Sequence, residues 1–130
     1  MNFKNLAIFY ASICFVLALI WMFFPQVLLA FWGVEYNKAA ALVGRRSAVL
    51  FLATGVMLFG TRNAAPSVAR SAIVYGFATG CLALTALGLF EFFMGHAGLG
   101  IMPVTVVEFI MAGAFVLVNR AELASAGSKP

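Results

Sequence analysis

The sequence predicts an all-α protein, an antiparallel bundle of four transmembrane helices that forms a single domain of 130 residues. Two observations predict this fold: four long apolar runs fill most of the chain, and the few charged residues lie inside or beside these runs and are divided unequally between the two membrane faces. Hydrophobic residues make up 65% of the chain and charged residues 9%, against about 25% charged in ordinary soluble domains. A soluble monomer of this composition would expose large apolar patches, which soluble proteins avoid.

The lengths of the four runs fit a bilayer. A hydrocarbon layer about 30 Å thick needs about 20 residues of α-helix at about 1.5 Å per residue. We predict spans over residues 5–29, 41–60, 70–94 and 101–119. The second span is long enough only if Arg45 and Arg46 lie within its first turns, and a membrane helix seldom holds two adjacent arginines without a reason.

The first run is interrupted by Pro25. This proline either kinks the span or begins a short interfacial helix over residues 26–32 that ends at Gly33. Aromatic residues gather at this end of the span, as they do at the level of lipid head groups: Trp21, Phe31, Trp32 and Tyr36. The apolar run exceeds the roughly 7–15 residues of the hydrophobic region of a signal peptide, so it is interpreted as a retained span.

The later connections are short. Residues 61–70 form a predicted polar turn, and residues 95–100 form a glycine-rich loop around His96. Pro103 then fits the first turn of the fourth span. Residues 121–130 are small and polar and are predicted to form a flexible tail.

The positions of Lys and Arg predict the orientation. Four spans place both termini on one side, which holds Lys4, Arg62, Arg70, Arg120 and Lys129, while the other side holds Lys38, Arg45 and Arg46. This excess favours termini in the cytoplasm. The net charge of +4 is therefore interpreted as topogenic, and because no basic stripe or stacking platform is present we predict no nucleic-acid partner.

Antiparallel threading also gathers an unusual set of ionisable residues at the face away from the termini: Glu35, Lys38, Arg45, Arg46, Glu91, His96 and Glu108. Glu108 lies about 10 Å into the fourth span. Adjacent residues of a helix point about 100° apart, so one of the two arginines can face the bundle interior. We predict that this is Arg46, paired with Glu91 or Glu108.

Three interpretations of this cluster remain open. The first is a structural Arg–Glu network that fixes helix register. The second is a pocket in which an arginine holds the anionic head group of a lipid or small amphiphile. The third is a proton or ion relay through Glu91 and Glu108, for which no polar path continues across the other half of the bilayer. Because HExxH, GxSxG and metal-ligand spacings are absent, we predict no catalytic residue, metal site or cofactor.

Glycines in the third span indicate helix packing. Gly76 and Gly80 form a GxxxG pattern, and Gly88 is predicted to lie on the same stripe. Small residues let helix backbones approach closely. Packing within the chain and contact with a second copy both remain open. Cys14 and Cys81 belong to no CxxC motif and are interpreted as small apolar core residues.

Three segments carry a family resemblance: FFPQVLLAFWGVE at 23–35, GRRSAVLFLATGVMLFGTRNA at 44–64 and VLVNR at 116–120. Their order resembles small four-helix bacterial inner-membrane proteins, loosely those of the DoxX-type superfamily. The resemblance implies a four-span fold in the bacterial inner membrane, in a family of mostly unassigned function.

The sequence thus favours a non-enzymatic accessory or assembly subunit that contacts lipid and packs against other membrane subunits or itself. The alternative is binding or transport of a small amphiphilic anion or lipid at the Arg45, Arg46, Glu91 and Glu108 cluster. A membrane isomerase or reductase is a more distant third.

Overall fold

A computed structural model describes residues 2–127, and within that range the chain is helical with no β-strand. The helices are α1 (Phe3–Phe23), α2 (Pro25–Phe31), α3 (Lys38–Thr61), α4 (Val68–Phe93) and α5 (Ile101–Gly127). All except the short α2 are long and apolar enough to cross a membrane. The predicted all-α fold with four spans is confirmed, and the chain has the architecture of a multi-pass membrane protein.

Three of the spans begin at a capping side chain. Asn2, Asn37 and Ser67 each accept a hydrogen bond from the backbone N–H three residues further along. Each cap satisfies one of the donors that the first turn of a helix leaves unpaired. Because the cap of α3 is Asn37, the helix includes Arg45 and Arg46 in its first turns, as predicted.

The first apolar run is divided at Phe24. Helix α1 ends at Phe23 and α2 begins at Pro25, because proline lacks a backbone N–H and fits the first turn of a helix. Gly33, at φ +70°, follows the end of α2, a backbone conformation that favours glycine. The separate short helix, one of the two predicted alternatives, is therefore the one that forms.

The spans form two antiparallel hairpins, α1 with α3 and α4 with α5. Helix α3 turns a stripe at three- and four-residue spacing toward α1: Ala41, Gly44, Ala48, Gly55 and Leu58. A Cβ atom on Gly44 would lie 2.4 Å from the Trp21 ring, and one on Gly55 would lie 2.7 Å from the Phe15 ring. These two glycines therefore allow the close approach of α1 and α3.

The two hairpins meet where α1 approaches α5. The rings of Tyr10, Phe77 and Phe115 form an aromatic cluster at this contact, in which they pack edge to face at 4.9–5.7 Å between centroids. At one end, the backbone N–H of Gly98 donates to the carbonyl oxygen of Trp32 at 2.6 Å. At the other end, the N–H of Phe3 donates to a carboxylate oxygen of Glu122 at 2.9 Å, so both ends of the described chain lie at the same end of the bundle.

Two element predictions need correction. Helix α5 continues to Gly127, so residues 121–127 are helical rather than a flexible tail, because this Ala- and Leu-containing segment has high helix propensity. The rest of the predicted tail, including Lys129, lies outside the described residues. Gly76 and Gly80 are exposed, and a Cβ atom on either would meet open space. Gly88 is instead buried and packs against Thr105. The prediction that Gly88 lies on the same stripe as Gly76 and Gly80 is therefore wrong.

Candidate functional site

The two arginines at the centre of the predicted site, Arg45 and Arg46, are exposed on α3. Neither forms an ion pair or side-chain hydrogen bond with any residue from 2 to 127. The position of Gly44 explains why Arg46 points outward. Gly44 is buried on the stripe of α3 that faces α1, and Arg46, two residues later, lies about 200° further around the helix axis. The prediction that Arg46 faces the bundle interior is wrong.

The acids of the predicted cluster do not meet these arginines either. Glu91 contacts His96 instead, with 2.8 Å between Oε2 and Nδ1, and the histidine side chain is 62% exposed. Glu35 is exposed. Glu108 is half-buried, and no hydrogen bond or ion pair joins it to another described residue. The Arg–Glu network expected from these residues is therefore not formed.

The buried polar cluster of this protein lies at the opposite end of the bundle, around Arg70. Arg70 is the third residue of α4 and only 2% exposed. Its backbone N–H donates to the capping Ser67 hydroxyl at 3.2 Å. Arg70 shares the buried stripe of α4 with Val74 and Ala78, so the packing of this stripe carries its guanidinium into the interior.

The Arg70 guanidinium donates three hydrogen bonds. Nε donates to Oδ1 of Asn119 at 3.1 Å, and Nη1 donates to the carbonyl oxygen of Ala64 at 3.2 Å. Nη1 also forms an ion pair with Oε2 of Glu122 at 2.9 Å. The central carbon of the guanidinium lies 4.5 Å from the centroid of the Phe3 ring, which places the cation over the aromatic face.

Asn119 extends this network. It is fully buried, and its Nδ2 donates to the hydroxyl of Ser71 at 3.0 Å. We call Arg70, Ser71, Asn119 and Glu122 the terminal cluster. Through Phe3 and Ala64 the cluster also holds the start of α1 and the loop before α4, so four segments of the chain meet at this end of the bundle.

An open cavity of about 250 Å³ adjoins the terminal cluster. We call it the terminal cavity, and its lining includes Asn2, Phe3, Lys4, Arg62, Arg70 and Glu122. Three of these side chains are basic and one is acidic, so the formal charge of the lining is +2. Nη2 of Arg70 is buried and has no hydrogen-bond partner among the described residues. The lining thus carries excess positive charge, and one of its residues, Arg70, has an unsatisfied buried donor.

Sequence reasoning missed the terminal cluster because it treated the basic residues of this face only as topogenic. The spacing of residues along the fourth span could have indicated the cluster. Thr105, Glu108, Ala112, Phe115, Asn119 and Glu122 follow one another at intervals of three or four residues. A polar residue on such a stripe is directed toward the neighbouring helix, and in α5 Asn119 and Glu122 meet Arg70 in this way.

Comparison with known proteins adds no assignment: no protein-family model matches the chain, and no curated protein or solved structure matches it significantly. Over residues 2–127, no group of three or more His, Cys, Asp or Glu side chains is placed to hold a metal ion. Cys14 and Cys81 are buried and form no disulfide with a described residue. The polar geometry of the described chain is therefore concentrated in the terminal cluster and the terminal cavity.

Proposed function

We propose that the protein is a non-enzymatic accessory subunit of the bacterial inner membrane that packs against a transmembrane helix of another membrane protein. Both termini lie in the cytoplasm under this proposal, since five of the eight Lys and Arg residues belong to their side. Membership in the DoxX-like superfamily is part of the same proposal and stays a prediction.

The observation that carries the proposal is the outer face of α4. Seven small residues lie exposed along it at helical spacing: Ala69, Ala72, Gly76, Thr79, Gly80, Ala83 and Ala86. At 100° per residue these positions lie opposite the stripe of Arg70, Val74 and Cys81. We call them the small-residue face. Lipid fills such a face less well than a helix does, because small residues allow close backbone contact.

The architecture leaves the small-residue face without a partner in its own chain. Helix α4 packs mainly on α5, and a Cβ atom on Gly76 or Gly80 would have no neighbour within 4 Å. The described helices are joined by short connections, so between residues 2 and 127 most of the surface available for contact belongs to the spans. The alternative of anion binding at the Arg45 and Arg46 cluster loses its support, because those side chains are exposed and separate from the glutamates.

Site-specific cross-linking tests the proposal. A photo-reactive amino acid at position 83, within the small-residue face, is activated in native membranes and the product is identified. We expect one integral membrane protein in stoichiometric amount. The Gly76→Leu/Gly80→Leu variant should abolish the product, since two bulky side chains prevent close helix approach.

Gly113→Leu is the matched control, because Gly113 is an exposed glycine of α5 that also faces open space. This variant should retain the cross-link. A product between two copies of the chain would replace the accessory role with self-association through the same face. Products with lipid alone, or equal loss in the control, would contradict the proposal.

A further inference from the structure

We infer that the terminal cavity binds the phosphate group of an anionic ligand, the chemistry that an anionic phospholipid and free phosphate share. This site is independent of the small-residue face and lies at the other end of the bundle from the Arg45 and Arg46 cluster. It is formed by Arg70, Arg62 and Lys4, which come from three different segments.

The first support is the unsatisfied donor of Arg70. A guanidinium has five N–H groups, and the three bonds to Asn119, Ala64 and Glu122 use three of them. The two on Nη2 are buried without an acceptor in residues 2–127. A buried charged donor is costly unless it is hydrogen-bonded. Because Arg70 also lines the cavity, an anion bound there would bring an acceptor oxygen to its guanidinium.

The second support is the charge around the cavity. Lys4 is exposed at its rim, and Arg62 is half-buried. Arg62 donates from Nη1 to the carbonyl oxygen of Phe59 at 2.6 Å, and its central carbon lies 3.9 Å from the Phe59 ring centroid. This leaves Nε and Nη2 of Arg62 without an acceptor in the described chain. Glu122 balances one positive charge, and the remaining formal charge of +2 attracts an anionic phosphate group.

The third support is the location of the cavity at the ends of the spans. Lys4 lies in the first turn of α1, Arg62 directly follows α3, and Arg70 lies in the first turn of α4. The ends of membrane-spanning helices lie near the lipid head groups. The predicted orientation places them in the cytoplasmic leaflet, which carries anionic lipid. Arginine also offers a planar fork that fits phosphate oxygens.

Lipid binding to the purified full-length protein in mild detergent tests this site by native mass spectrometry. Phosphatidylglycerol should bind about tenfold more tightly than zwitterionic phosphatidylcholine. The Lys4→Gln/Arg62→Gln variant should lose about tenfold or more of the phosphatidylglycerol affinity, because two of the three cations are removed. Lys4→Gln alone serves if the double variant does not fold, with a correspondingly smaller loss.

Arg45→Gln/Arg46→Gln is the matched control, because it removes two arginine charges from the other end of the bundle and should change the affinity by less than about twofold. Competition by millimolar inorganic phosphate would indicate that the phosphate group alone is recognised, and lack of competition would indicate a lipid head group. Equal binding of both lipids, or equal losses in the two double variants, would overturn the inference.

Discussion

At the residue scale, Arg70 shows how one buried charge organises an end of the bundle. Its guanidinium contacts α1, α5 and the loop before α4, and its side chain is 1% exposed. A buried arginine that lost its acidic partner would keep the cost of desolvation without the compensating attraction. Glu122 is therefore expected to matter for stability more than any other acid of the chain.

Glu122→Gln tests this role. The substitution removes the negative charge beside Arg70, so we expect the free energy of unfolding to fall by about 1–3 kcal/mol. The matched control is Glu91→Gln, which disrupts the exposed contact with His96 and should cost less than about 0.5 kcal/mol. Unfolding in detergent mixtures measures both, and equal losses would show that Arg70 does not depend on its partner.

At the element scale, α1 and α3 approach closely because glycine takes two positions of their contact. Gly44 and Gly55 lie under the rings of Trp21 and Phe15. The Trp21 side chain is buried, and it also packs against Trp32 with 5.3 Å between the ring centroids. The indole thus has little room to move away from an added methyl group.

Gly44→Ala should lower the free energy of unfolding by about 1–3 kcal/mol, because overpacking forces the Trp21 ring or the backbone to shift. Gly113→Ala introduces the same change at an open helical position and should be neutral or stabilising by up to about 1 kcal/mol. The two variants are compared in the same unfolding assay. A neutral Gly44→Ala would contradict the close contact between α1 and α3.

The α4–α5 loop depends on glycine in a similar way. Gly100 lies against the backbone of Phe31, where a Cβ atom would overlap a carbonyl group, and Gly98 donates to the Trp32 carbonyl oxygen. Gly100→Ala should therefore displace the loop from α2 and increase hydrogen exchange at the Gly98 amide by about tenfold or more. Leu99→Ala, at a 75% exposed residue of the same loop, should leave exchange nearly unchanged, and similar exchange in the two variants would exclude loop docking.

Sequence reasoning located all four spans because their apolar length and turn residues are local properties. It also located the interruption at Pro25, since proline constrains its own backbone, but it left open whether the span is kinked there or a new helix begins. It missed the direction of Arg46 and the pairing of Arg70, which depend on which stripe of a helix faces its neighbour. Gly44 lies on the buried stripe of α3 and Asn119 on that of α5. In the sequence, only the three- and four-residue spacing of these stripes indicates which face of each helix is buried.

At the scale of the whole molecule, two hairpins are joined at three heights. The Phe3–Glu122 hydrogen bond connects them at the terminal cluster, the rings of Tyr10, Phe77 and Phe115 connect them about 10 Å further along the spans, and the Gly98–Trp32 hydrogen bond connects them at the other end. This arrangement leaves the outer face of α4 free for a partner. It also requires that the terminal cavity and the Arg45 and Arg46 pair lie at opposite membrane surfaces.

Cysteine labelling with a membrane-impermeant maleimide tests this antiparallel topology most directly. Single cysteines at positions 4, 62 and 120 and at positions 38 and 96 are introduced after Cys14 and Cys81 are replaced by alanine. We expect the first three positions to react only from one side, which is the cytoplasmic side in the proposed orientation, and the other two only from the opposite side. Labelling of positions 62 and 120 from different sides would contradict the four-span arrangement, and with it the common cavity of Lys4, Arg62 and Arg70.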